Sequence, residues 1–203
     1  MGSGLSAIIL AGGKSRRFGR DKAVELVAGR SLLQRAVDAV TPLASEIVVA
    51  GSRGVEIPPV ETALPLQVVS DVREKAGALG GLYTGLLAAR HEETLALACD
   101  MPLLNLSLLQ HLWSLLTDEW DVVMPVWRRE EPLHAFYRRT CIAPIERLLD
   151  RGGMRFVEFL PEVRVRYVPR AEIERFDAEG RSFWNVNREE DLQRLLPFLS
   201  EGR

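Results

Sequence analysis

The apolar run Ala7-Ile8-Ile9-Leu10 breaks on Gly12-Gly13, and no other junction constrains the chain as tightly. An apolar run without polar alternation reads as a strand buried on both faces, which calls for helices on both sides of a sheet. Two adjacent glycines then admit positive φ and let another atom come close to the backbone amides. Between Leu10 and Lys22 stand three glycines and five cations: Lys14, Arg16, Arg17, Arg20 and Lys22. A strand, a glycine turn and a cationic loop in this order can cradle a polyphosphate. The bland alternative is a solvated basic loop. Spacing excludes two familiar phosphate loops. Five residues after Gly12 and Gly13 stand Arg17 and Phe18, which breaks the P-loop, and Lys14 takes the third place that Gly-x-Gly-x-x-Gly reserves for glycine.

The remaining chain repeats the strand–helix alternation. Ser31 caps a predicted helix with apolar residues Leu32, Leu33, Ala36, Val37 and Val40, ended by Pro42. Glu46–Gly51 and Leu66–Asp71 read as strands, with Val55–Leu64 an irregular crossing between them. The glycines of Gly77-Ala78-Leu79-Gly80-Gly81 open a helix predicted over Leu82 to about Arg90. Thr94 to Asp100 contains an apolar central strand that ends on a carboxylate and is stopped by Pro102. Asn105 or Ser107 caps the next helix, with the stripe Leu108, Leu112, Leu115 and Leu116. Asp121–Val126, Leu133–Tyr137 and Arg164–Val168 read as further strands, the second a candidate for antiparallel pairing. Pro144–Leu149 and Arg188–Leu199 read as helices. The expected fold is α/β: a doubly wound, mostly parallel sheet with an antiparallel strand in the second half. One domain over 1–203 is expected, with a nucleotide-binding half over 5–100 and an acceptor-binding half over 101–203.

At 203 residues the chain can bury roughly 70% of its unfolded surface in a single core. A net charge of −2 supplies no bulk attraction to nucleic acid or an anionic membrane, so any anion site has to be local. No apolar stretch approaches the ~18 residues of a membrane span, and no secretory leader is read at the N-terminus. Cys99 and Cys141 stand far apart without metal-ligand spacing, and they read as small buried apolar residues in a reducing compartment. A cytoplasmic location is expected. The three histidines form no zinc pattern.

In open α/β sheets ligands sit beyond the carboxyl ends of the strands, where the glycine–cation loop, Asp71 and Asp100 all fall. A polyphosphate there needs Mg²⁺, which takes one or two protein carboxylates together with phosphate oxygens. Asp100, after the most buried strand, is the candidate metal ligand; its alternative is a cap for the turn before Pro102. Asp71 can accept hydrogen bonds from guanine N1–H and N2, or from sugar hydroxyls, or it can cap its own strand end. Gly77, Gly80 and Gly81 either expose amides to a nucleoside or fit a helix closely onto the sheet. Asn185 and Asn187 share one face if extended, as ligands or as helix caps. His134 on an apolar strand reads as a core histidine rather than a catalyst. Arg151-Gly152-Gly153-Met154-Arg155 is either a contact for a second anionic substrate or a solvated turn.

The motif Leu10-Ala-Gly-Gly-x-Ser-x-Arg-x-Gly-x-Asp21-Lys22 resembles the signature loop of nucleotidyltransferases that join a nucleoside monophosphate to a phosphorylated acceptor. With Asp71, Gly77-x-Leu79-x-Gly81, Cys99-Asp100-Met101-Pro102, Pro132-Leu133-His134 and Asn185-Val186-Asn187, the chain is similar to the molybdenum cofactor guanylyltransferase family over residues 6 to 195. Ala78 departs from it, standing where the family commonly has proline. The resemblance implies transfer of GMP from GTP to the phosphate of molybdopterin (Mo-molybdopterin), with release of pyrophosphate. It implies that Leu10, Ala11, Gly12, Gly13 and Lys22 bind GTP and that Asp71 contacts the nucleotide. Asp100 would bind both GTP and Mg²⁺. Arg16 would touch the triphosphate, leaving Lys22, Asp100 and Arg16 as the catalytic set. Asn185 and Asn187 would lie toward the molybdopterin. Cofactor-insertion proteins or molybdoenzymes are the implied protein partners. A cytidylyl- or sugar-nucleotide transferase, or a non-catalytic nucleotide-binding adaptor, are the rival functions.

Overall fold

Every side chain of β1 (Leu5–Leu10) is buried, and its residues divide between two layers. In the computed structural model, which describes residues 4–11, 26–27, 29–55 and 57–199, Leu5, Ala7 and Ile9 enter one hydrophobic cluster. Ile8 and Leu10 enter another on the opposite face. That two-sided burial is why the strand shows no polar alternation. β4 (Glu46–Gly51) is built alike, with Ile47 and Val49 on one face and Val48 and Ala50 on the other. The exceptions are Ser6 and Glu46 near the amino ends, where the Ser6 hydroxyl donates to Glu46 Oε1 at 2.7 Å.

The main sheet has seven strands in the order β5-β4-β1-β6-β8-β7-β9. The additional members are β5 (Leu66–Ser70), β6 (Glu93–Ala98), β7 (Val122–Val126), β8 (His134–Arg138) and β9 (Val165–Pro169). β8 pairs antiparallel with both β6 and β7, and the other four pairings are parallel. Six strands therefore share one direction, and the sheet is mostly parallel as expected. β6 of the first half is hydrogen-bonded to β8 of the second, so the two halves share the sheet. A small hairpin, β2 (Leu26–Val27) with β3 (Arg30–Ser31), stands apart and was not anticipated.

Helices cover both faces. α1 (Leu32–Val40) and α3 (Leu106–Ser114) pack into the Ile9 layer, whereas α2 (Gly77–Ala88) and α4 (Ile142–Asp150) pack into the Ile8 layer. Ser31 caps α1 by accepting from the Gln34 amide at 3.1 Å. Asn105, not Ser107, caps α3, accepting from the Leu108 amide at 3.0 Å. Leu115 and Leu116 fall just beyond that helix. Short helices α5 (Phe156–Phe159) and α6 (Arg170–Ile173) flank β9, and α7 (Glu189–Leu199) closes the described chain.

One boundary differs in a way that matters. α2 begins at Gly77, five residues before its predicted start, and absorbs the glycine segment. A Cβ on Gly81 would stand 2.9 Å from Leu10 Cδ2, and one on Gly85 would overlap the Ile8 side chain. These glycines set α2 directly against β1, and only Gly77, at φ +62°, uses the left-handed region.

Candidate active site

The strand order reverses at β1. The chain steps outward from β1 through β4 to β5, then returns to place β6 on the other side. A crevice is expected at the carboxyl ends of strands flanking such a reversal. Backbone ladders continue past the strands here: Ala11 donates to Ala50 at 2.8 Å, Cys99 to Leu10 at 3.1 Å and Asp71 to Gly51 at 2.9 Å. The ends of β1, β4, β5 and β6 are thus held level.

Two clefts open on this edge. The first, of about 720 Å³, is lined by Leu10, Ala50, Ser52, Arg53, Asp71 and the start of α2. Asp71 Oδ1 is buried and has no hydrogen-bond partner among the described residues. Burial also pushes its carboxyl above the usual range. A desolvated carboxylate facing a cleft is satisfied by a ligand that brings its own donors. The chain just after it is fixed, since the Val72 amide donates to Thr84 Oγ1 at 3.1 Å and that hydroxyl donates to Gly80 O. Arg53 and Glu74 pair at 3.0 Å across the rim.

The second cleft, of about 690 Å³, brings Asp100 together with Asn185 and Asn187. The link is a backbone bond, in which the Val186 amide donates to Asp100 O at 2.8 Å. The buried Val186 side chain anchors the segment in a third apolar cluster with Val27, Leu32, Leu192 and Leu195. At the start of α7, Asp191 accepts from the Asn187 and Arg188 amides at 2.8 and 2.9 Å. Arg155 also lines the second cleft. Its amide donates to Glu158 Oε2 at 3.0 Å, whereas Arg151 points elsewhere and pairs with Glu162 at 2.8 Å.

A third cleft, of about 480 Å³, shares Arg129, Glu131, Asn185 and Asn187 with the second, so the two adjoin. Sequence reasoning passed over Ser52, Arg53, Arg129 and Glu131. Their types carry no motif, and only the folding of loops to one edge makes them neighbours. His134 lines none of these clefts. It is fully buried against Phe183, with ring centroids 4.7 Å apart, and burial lowers its pKa to about 4 despite the opposing field of Asp177. It is a core residue.

Leu10 lines the first cleft, while Ala11 is buried and its amide is bonded to Ala50 O. Gly12, Gly13, Arg16 and Lys22 lie outside the described residues. Both cysteines are buried and neither is in a disulfide, and among the described residues no helix is long and apolar enough to cross a membrane.

A profile of the MobA-like NTP transferase domain matches residues 7–165. The chain belongs to the MobA-like NTP transferase family. Curated relatives of this nucleotidyltransferase extend the match beyond the profile. A molybdenum cofactor guanylyltransferase from Desulfosudis oleivorans is 32% identical and covers 98% of both chains. Another from Syntrophotalea carbinolica is 34% identical over 93% of this chain and 89% of the relative. Among solved structures, molybdopterin-guanine dinucleotide biosynthesis protein A from Archaeoglobus fulgidus superposes with a TM-score of 0.80 at 23% identity. That match covers 97% of this chain and 99% of the other. A 2-C-methyl-D-erythritol 4-phosphate cytidylyltransferase from Thermus thermophilus shares the fold at TM-score 0.70 and 16% identity, covering 95% and 98%. These likenesses in structure concern the MobA-like fold alone.

Proposed function

We propose that this nucleotidyltransferase moves GMP from GTP to the phosphate of molybdopterin, in its Mo-molybdopterin form, and releases pyrophosphate. The observation that carries the reading is the pair of clefts at the β1–β6 strand ends, one holding Asp71 and the other Asp100 with Asn185 and Asn187. A two-substrate transfer needs two such compartments meeting at one reacting phosphorus. The specific substrates come from the relatives' names, supported by about 32% identity along nearly the whole chain. On this reading residues 5–100 form the nucleotide half and 101–203 the acceptor half of a single cytoplasmic domain.

An acceptor phosphate oxygen forms a bond to the α-phosphorus while the bond to the bridging oxygen breaks, and pyrophosphate leaves with the electron pair. A phosphate monoester is anionic at neutral pH, so catalysis rests on positioning and charge stabilisation rather than on a strong base. Asp71 accepts from the nucleoside, and Leu10, Ala11, Gly12 and Gly13 bind GTP. Lys22 offsets charge at the reacting phosphorus and Arg16 holds the leaving end. Asn185, Asn187 and Arg155 orient the acceptor.

The family's chemistry implies a divalent cation, read here as Mg²⁺. Among the described residues no group of three or more His, Cys, Asp or Glu gathers as a metal cage. A single carboxylate, Asp100, suits an ion that takes its other ligands from phosphates and water. When bound, the cation supplies neutralising charge on the nucleotide phosphates. The deciding experiment is a matrix of nucleotides and acceptors scored by pyrophosphate release. GTP with molybdopterin should turn over and CTP should not. The same experiment with CTP as the better donor, or with no release from any pair, rejects the reading.

A further inference from the structure

The second and third clefts adjoin along shared walls, and Glu131 lines both. Its backbone is fixed from both sides: its amide donates to Pro125 O at 3.0 Å, and its carbonyl accepts from the His134 amide at 3.0 Å. The side chain is partly buried, and burial pushes its carboxyl up against the opposing pull of Arg129. Beyond Glu131 the wall carries Trp184, Arg194 and Asp191, together with Trp127, whose ring stacks on Phe183 and lies under Arg170. Trp184 is itself held edge-on to Phe198, with centroids 5.8 Å apart. A flat, hydrogen-bonding ring suits such walls, whereas a bare phosphate does not use the indole surface.

We propose that the Glu131 carboxylate reads the 2-amino-4-oxo pyrimidine edge of the acceptor's pterin ring, seated in the third cleft while the acceptor's phosphate faces Asp100 in the second. The inference rests on the assignment of molybdopterin as acceptor. That pyrimidine edge presents N3–H and an exocyclic N–H side by side, and a carboxylate offers two oxygens to match them. The positive charge of Arg129 acts on the Glu131 carboxyl and offsets its repulsion of an anionic ligand. Glu131 is then a specificity residue that touches substrate without entering the phosphoryl chemistry.

The test uses the full chain with Mg²⁺ and compares wild type with Glu131→Gln, and with Glu131→Asp should the first variant fail to fold. A carboxamide of the same shape can accept one of the two hydrogen bonds but opposes the other. Its acceptor KM should rise about 10- to 100-fold, the loss of a charge-assisted bond, with the KM for GTP unchanged. A second readout is binding of 6-hydroxymethylpterin phosphate against the corresponding lumazine, which carries a 2-oxo group in place of the amine. Wild type should prefer the pterin, and the variant should lose that preference. A purely structural role for Glu131 would weaken both ligands alike. If wild type releases no pyrophosphate from GTP and molybdopterin, the acceptor assignment fails. If wild type turns over while Glu131→Gln keeps both its acceptor KM and its pterin preference, the role given to Glu131 is wrong and the function stands.

Discussion

Single residues on the carboxyl edge differ sharply in what they should do when changed. Asp100 carries its side chain into the second cleft from a backbone already pinned by Val186. Asp100→Ala should therefore keep the fold and its melting temperature within a few degrees, yet lower guanylyl transfer by about 10²–10³, the scale for losing a charge-stabilising group. Near-normal turnover with Mg²⁺ as sole metal would remove Asp100 from the site. His134 behaves in the opposite way, with no part in turnover and a marked part in acid stability. Its folded pKa is lowered to about 4 by burial, and an unfolded histidine titrates near ~6.5. Between those values the unfolded chain binds a proton that the folded chain refuses. Its stabilising contribution is therefore complete above ~6.5 and is lost as pH falls toward 4, with a ceiling of roughly 3 kcal/mol. Melting curves from pH 7 to 4 should show a shallower decline for His134→Leu than for wild type. Parallel declines would assign the acid sensitivity to other groups.

At the level of elements, the contact of α2 with β1 decides where the edge residues stand. Helix propensity alone would favour Gly85→Ala by about 1 kcal/mol. Its Cβ would meet Ile8, however, so the substitution should destabilise by about 1–3 kcal/mol as the helix is pushed from the sheet. Gly77→Ala meets nothing nearby, and its cost of about 1–2 kcal/mol arises from φ +62° instead. Urea titration of the two variants separates the causes. In an Ile8→Ala background, which removes the clashing methyl groups, the cost of Gly85→Ala should shrink while that of Gly77→Ala stays unchanged. The α2 result also shows how a motif can be read two ways. Glycines at Gly77, Gly80 and Gly81 look alike in one dimension, but Gly81 proved to be a packing glycine because Leu10 lies beneath it.

For the molecule as a whole, the two halves are tied at more than the sheet. Tyr83 donates to Glu146 at 2.7 Å, and Arg73 pairs with Asp150 at 2.7 Å, joining α2 and its approach to α4. The clefts are nonetheless separately lined, so donor and acceptor binding should be separable. GTP alone should raise the melting temperature by mass action. Asp71→Asn should shrink that rise, because an amide puts a donor where a desolvated carboxylate had offered only acceptors. Arg155→Ala should leave the GTP-induced rise intact while increasing the acceptor KM several-fold or more. Loss of the GTP effect in Arg155→Ala would mean that the two clefts act as one.

Much of the architecture was decided locally. The unbroken apolar runs of β1, β4 and β6 specify burial on both faces whatever surrounds them, and Ser31 and Asn105 cap their helices through bonds spanning three residues. The glycines and carboxylates that follow β1, β5 and β6, at Gly12-Gly13, Asp71 and Asp100, likewise marked the edge where a ligand would be held. Other features depend on residues far apart in the chain. Placing β8 between β6 and β7 requires its pairing with strands on either side, and nothing within Leu133–Tyr137 encodes the neighbour. His134 was legible as a core histidine from its apolar strand but its stacking partner Phe183 was not, and Glu131 met Asn185 and Arg194 only when the β7–β8 turn and the approach to α7 reached the same edge. Sequence by itself determined the strands, their two-sided burial and the carboxylates at their ends, because those rest on short-range sterics and hydrophobic pattern. Tertiary structure alone decided which side chains share a cleft, because that depends on strand order and on loops converging from distant parts of the chain.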